Sequence, residues 1–149
     1  MPKDYDPRMH SAEHILNQTM IRMFDCGRSF EAHIEKDKSR CYYYLDHPVA
    51  EDEIREIEAR VNEVIRSDVD VREELLSRAE VGTWFDLRRV PEDAGDPLRI
   101  IRIGDYDACP CIGTHVRKTG EIGNFQIYST SYEDGVLKVR FRLSSGKGG

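Results

Sequence analysis

The chain has no apolar run approaching the 18 residues that a membrane-spanning helix needs. Nor does it have the positive charge excess that draws a protein onto nucleic acid. The first absence argues against a helical membrane anchor. Met1 to Asp6 also carries no apolar h-region, so no secretory signal is read and the cytosol is the expected location. The formal charge of -6 argues against non-specific binding along a polyanion, so any RNA contact must come from a local basic patch. Cysteines number only 4 (Cys26, Cys41, Cys109 and Cys111), and without a secretion signal they read as thiols or ligands rather than a disulfide framework. There is no internal repeat, and no linker is long enough to divide the 149 residues. One domain over 1–143 is expected, with 144–149 a polar, glycine-rich, disordered tail.

What is present centres on Cys109-Pro110-Cys111-Ile112-Gly113-Thr114-His115, where two thiols and an imidazole fall close together and Gly113 leaves the backbone free to curl. Near the N-terminus stands His10-Ser11-Ala12-Glu13-His14. In a helix, histidines at i and i+4 share one face, so both imidazoles can reach one ion. His10, His14, Cys111 and His115 make three imidazoles and a thiolate, a set that suits tetrahedral zinc. The halves lie about a hundred residues apart, so the fold must assemble the site. A zincin protease needs Glu directly after the first histidine, and Ser11 stands there, which excludes that reading.

These residues carry a resemblance. His-x3-His, then Cys111-Ile112-Gly113-Thr114-His115-Val116 and Thr119-Gly120-Glu121-Ile122-Gly123, is similar to the editing domain shared by alanyl- and threonyl-tRNA synthetases. In its length the chain most resembles the free-standing alanyl-tRNA editing proteins of the AlaX type. The resemblance implies hydrolysis of seryl or glycyl esters of tRNA(Ala), with mischarged aminoacyl-tRNA as partner and zinc as cofactor. It also implies that Ser29, nearest to a threonine position of relatives, contacts the amino acid to be removed. Two departures stand out: Ile112 replaces a glycine beside the cysteine, and Cys109 replaces a carboxylate common in synthetase-borne relatives.

Taken in order, Asp6-Pro7 reads as cap and first residue of a helix running to about Asp25. Strand-like runs 29–34 and 40–45 flank Lys36-Asp37-Lys38 as a hairpin. Tyr42, Tyr43 and Tyr44 cannot form one stacking platform, because consecutive strand residues face opposite ways. Glu51 to Ser67 is an amphipathic helix with Ile54, Ile57, Val61, Val64 and Ile65 on its stripe; Glu58 and Asn62 lie off it. Val69 to Val71 reads as a short strand, 77–85 as a short helix, 87–97 as a loop, 98–103 as a strand and 104–114 as the loop presenting the thiols. Ile122 to Thr130 and Val136 to Leu143 form a second hairpin around Glu133-Asp134-Gly135. The fold class is α+β, an antiparallel sheet with helices packed on one side, as the resemblance to synthetase editing domains implies.

On the last strand Lys138, Arg140 and Arg142 alternate with apolar residues, and no acid follows Asp134. This basic face is the candidate phosphate contact in an acidic chain, beside the plainer reading of a solvated surface. The metal itself admits several roles: structural if all four residues bind, or catalytic or substrate-holding if a position opens. A zinc-stabilised RNA-binding module without hydrolysis, or a threonyl-type, metal-free domain of the same fold, are the alternatives.

Overall fold

The computed structural model describes residues 6–90 and 92–144. The first helix, α1 (Pro7–Phe24), starts where the sequence places it. Asp6 Oδ1 accepts from the Arg8 and Met9 amides at 2.9 and 3.4 Å, and Pro7 occupies the first turn, where a missing N–H costs nothing. It ends at Asp25, whose φ of 54° closes the helix in the left-handed conformation while its N–H donates to Ile21 O.

The following elements are β1 (Glu31–Ile34), β2 (Lys38–Tyr44), α2 (Glu51–Arg66), β3 (Val71–Leu76), the single turn α3 (Arg78–Val81), β4 (Leu98–Ile103), β5 (Asp107–Pro110), β6 (Asn124–Glu133) and β7 (Val136–Ser144). The strands form two antiparallel sheets, β1-β2-β7-β6 and β3-β4-β5, so the α+β class holds with two sheets in place of one. Ser144 closes β7; the rest of the expected tail, and the first five residues, lie outside the described residues. No helix among the described residues is long and apolar enough to cross a membrane.

Two elements depart from the sequence reading. The segment expected as a loop from 104 to 114 contains β5, which pairs Cys109 with Ile101 and Ala108 with Arg102. Pro110 disguised it, yet a proline is tolerated here because β5 is an edge strand and needs no further donor. The strand expected at 69–71 runs instead from Val71 to Leu76. The β6–β7 connection is the two-residue turn Asp134-Gly135, with φ of 52° and 79°, the left-handed pair that a tight hairpin demands.

α1 is buried on almost every side. Met9, Ala12, Ile15, Leu16 and Met20 enter the core with Tyr43, Phe125, Val139 and Phe141 of the first sheet. Its polar residues are buried too, and their hydrogen bonds are met: Thr19 Oγ1 donates to Ile15 O at 2.8 Å, and Ser11 Oγ accepts from Val116 N at 3.0 Å. α2 covers the same sheet through Ile57, Val61 and Ile65. Glu58 and Asn62, off its apolar stripe, have their own task. Asn62 Nδ2 donates to Phe125 O at 2.9 Å and its Oδ1 accepts from Phe125 N at 2.8 Å, while Glu58 accepts from Ile127 N at 2.7 Å. These bonds seal the free edge of β6. A smaller cluster of Val81, Val90, Leu98 and Ile100 seats the loop between α3 and β4.

Candidate metal centre

α1 presents His10 and His14 one turn apart, with 6% and 4% residue exposure. The chain leaving β5 returns to them: Arg99 Nη1 donates to the Cys111 and Gly113 carbonyls, both at 2.9 Å, and Glu73 holds the Arg99 guanidinium at 2.6 Å. Gly113 is required for a different reason than free curling. Its φ is not in the left-handed region; instead a Cβ there would stand 2.1 Å from His10 Cε1, so the backbone lies directly on the imidazole.

The fold brings His10, His14, Cys111 and His115 together. One ligand atom from each lies within 4.8 Å of all the others. His10 and His115 stack with ring centroids 4.3 Å apart, and His14 sits edge-on to His115 at 4.8 Å. The Thr114 carbonyl can only accept, so His10 Nδ1–H donates to it at 3.2 Å and Nε2 faces Cys111 Sγ at 3.3 Å. His14 is held likewise: its Nδ1 lies 3.5 Å from Asp107 Oδ2, which directs Nε2 towards the cluster. Both ring nitrogens of His115 are buried without a hydrogen-bond partner among the described residues. Buried imidazole nitrogens left unpaired beside a thiol and two further imidazoles fit a zinc ion.

The electrostatics agree with that donor set. Burial pushes the Cys111 thiol up, but His10, His115 and His14 around it overcome this and bring it down to about 3, which favours the thiolate form. Burial disfavours a charged His14, yet Asp107, Cys109 and Cys111 raise its affinity for a proton. His115 is lowered, by burial first and then by its imidazole neighbours.

Behind His14 lies an ion pair that no local sequence signal revealed. Arg28 Nη1 and Nη2 donate to Asp107 Oδ1 and Oδ2 at 2.9 and 3.0 Å, and Gln18 Nε2 adds a donor to Oδ1 at 2.9 Å. The Asp107 side chain is fully buried. Burial opposes its ionisation, but His14 and Arg28 hold its carboxyl well below the usual range.

His10, His14 and Cys111 line a cavity of about 630 Å³, together with Glu13, Asn17, Ser29 and Cys109. Ser29 precedes β1 rather than starting it, half-buried; its N–H donates to Asn17 Oδ1 at 3.1 Å and its carbonyl accepts from Arg89 at 3.0 Å. Asn17 also takes the Tyr43 hydroxyl at 2.7 Å and donates to Glu13 Oε2 at 3.4 Å. Glu13 was open to sequence reasoning, since i+3 from His10 shares its helix face, and its Oε1 lies 3.9 Å from His10 Nε2. Lys138, Arg140 and Arg142 are not near this cavity. They lie on the outer face of the first sheet, whose inner face packs on α1.

Residues 98–144 match the family described as the threonyl and alanyl tRNA synthetase second additional domain. The chain is similar to alanine--tRNA ligases: 33% identical over 136 residues to that of Halorubrum lacusprofundi, and 34% over 140 residues to that of Aeropyrum pernix. That of Ignicoccus hospitalis is 30% identical over 139 residues. These alignments cover 89–90% of the chain but 15% of each relative, so the chain spans about a seventh of the proteins it matches. The likeness to alanine--tRNA ligases thus extends over nearly the whole chain.

Proposed function

We propose that this relative of one stretch of alanine--tRNA ligases hydrolyses the ester joining a wrong amino acid, serine or glycine, to tRNA(Ala). The observation that carries the reading is the meeting of His10, His14, Cys111 and His115, the first three of which line a cavity of about 630 Å³. That volume lies within the usual range for small-ligand sites. A zinc ion held by these four residues would supply Lewis acidity to the ester carbonyl.

The chain's own residues supply the rest. Glu13 at the cavity wall is placed to receive the α-ammonium of an aminoacyl group or a proton from water. Ser29 lines the cavity and is anchored through both its backbone groups, and in this reading it is the residue that meets a seryl side chain. The Arg28–Asp107 pair and the Thr114 carbonyl fix the two helix histidines, so that binding substrate requires little rearrangement. In this reading 1–143 is one editing-type domain, working in the cytosol on mischarged aminoacyl-tRNA.

One observation favours a second reading. Three imidazoles and a thiolate complete a tetrahedral shell, as in structural zinc sites, which suits a zinc-stabilised RNA-binding module without hydrolysis. Deacylation separates the two. Zinc-loaded protein should release serine or glycine from tRNA(Ala) faster than alanine. Equal inertness towards all three esters would leave the binding module, and a preference for seryl-tRNA(Thr) would move the chain to the threonyl type.

A further inference from the structure

The outer face of the first sheet carries a charge arrangement that folding does not explain. The β2–β7 register sets Lys38 opposite Arg142, Arg40 opposite Arg140 and Tyr42 opposite Lys138. Like charges directly across an antiparallel pair destabilise it. In a chain of net charge -6, five cations on one face are not a by-product of composition.

Their contacts are mostly neutral. Arg142 Nε donates to Gln126 Oε1 at 3.0 Å, Arg140 to Ser129 Oγ at 3.5 Å and Arg40 Nε to the Tyr42 hydroxyl at 3.0 Å. Lys138 stands 5.5 Å over the Tyr42 ring. Arg40 has Glu35 at 4.0 Å, while Glu31 at the sheet edge is engaged by His33 at 2.8 Å. Most of the positive charge therefore has no counter-charge among the described residues.

Aromatic rings interleave with it. Tyr43 turns inwards, but Tyr42 and Tyr44 share the outer face, and Phe30 joins them. Phe30 and Tyr44 stack at 4.0 Å and 14° while remaining 38% and 64% exposed. Tyr128, 39% exposed, lies beneath Arg142 at 5.6 Å.

We propose that this face is a docking platform for single-stranded RNA, separate from the cavity and independent of the hydrolytic reading. The cations take the phosphates, and the exposed rings stack unpaired bases. A duplex would engage the cations but leave the rings idle, which is why the unpaired form is favoured.

The test is fluorescence anisotropy with a labelled RNA of about 12 nucleotides, single-stranded and then annealed to its complement. The single strand should bind more tightly than the duplex. Replacing Lys38, Arg140 and Arg142 together with alanine should lower the log-log salt slope by roughly 0.7 for each phosphate left without its cation. Arg140→Lys should keep the slope. Tyr44→Ala should weaken binding by at least about fivefold with the slope unchanged. Equal affinity for the duplex, an unchanged slope in the triple variant, or binding to anionic vesicles but to neither RNA would each overturn the proposal.

Discussion

The backbone of Gly113 lies against the ring of His10 so closely that an added Cβ would be 2.4 Å from Nδ1. The same nitrogen donates to the carbonyl of the next residue, Thr114. One glycine thus lets the thiol-bearing segment and the helix histidine share a position. Gly113→Ala should push the segment away from α1, costing about 1–3 kcal/mol by overpacking. Zinc affinity, measured by competition with a chromogenic chelator, should fall while far-UV circular dichroism changes little.

Asp107→Asn should have two separable effects. It leaves the Arg28 guanidinium buried without its carboxylate, a loss of about 3–5 kcal/mol by denaturant titration. It also removes the group that orients His14, which should lower zinc affinity about 10–100-fold. Adding Arg28→Met should restore much of the stability and none of the affinity. Recovery of both would show that Asp107 serves only the ion pair.

Removing the metal should change thiol chemistry before it changes the fold. Cys41 is fully buried in the core and burial pushes its thiol up, so it should resist alkylation throughout. Cys111 should be shielded by zinc and labelled after chelation, as read by peptide mass spectrometry. Cys111→Ala should lose metal and seryl-tRNA deacylation but keep most secondary structure. Cys109→Ala should keep both, since the ligand set that converges contains Cys111.

Ser29→Ala should leave stability nearly unchanged, because its backbone N–H and carbonyl make the bonds that anchor it. Discrimination between seryl and alanyl esters should fall about 2- to 10-fold, the worth of one neutral hydrogen bond. An unchanged ratio of kcat/KM values would remove Ser29 from substrate selection.

Much of the centre was legible because its signals are local. His10 and His14 show through the helical period, and Cys111 and His115 stand in one short segment. Arg28 and Asp107 carry no such mark, since each is an ordinary charged residue until the fold sets them 2.9 Å apart across 79 positions. β5 was hidden by Pro110, which reads as a breaker unless the strand is known to lie at an edge. Ser11, Asn17 and Thr19 are polar, yet all three are buried. Their partners are Val116, Tyr43 and Tyr106, distant in sequence, and the period of α1 alone could not announce them. Glu58 and Asn62 were unassigned for a related reason: their partners are main-chain groups of β6, which have no sequence signature.

The wide separation of the two ligand pairs has a consequence for the chain as a polymer. An ion held by His10 and His14 at one end and Cys111 and His115 at the other is a cross-link enclosing most of α1 to β5. For a closed loop of about 100 residues, the chain-entropy model of a disulfide gives about 4–5 kcal/mol, taken from the freedom of the unfolded state. A zinc clip would act in the same direction without a covalent bond, and it could be withdrawn. The thermal midpoint should therefore follow zinc activity, making the centre a reversible staple as well as the proposed reaction site.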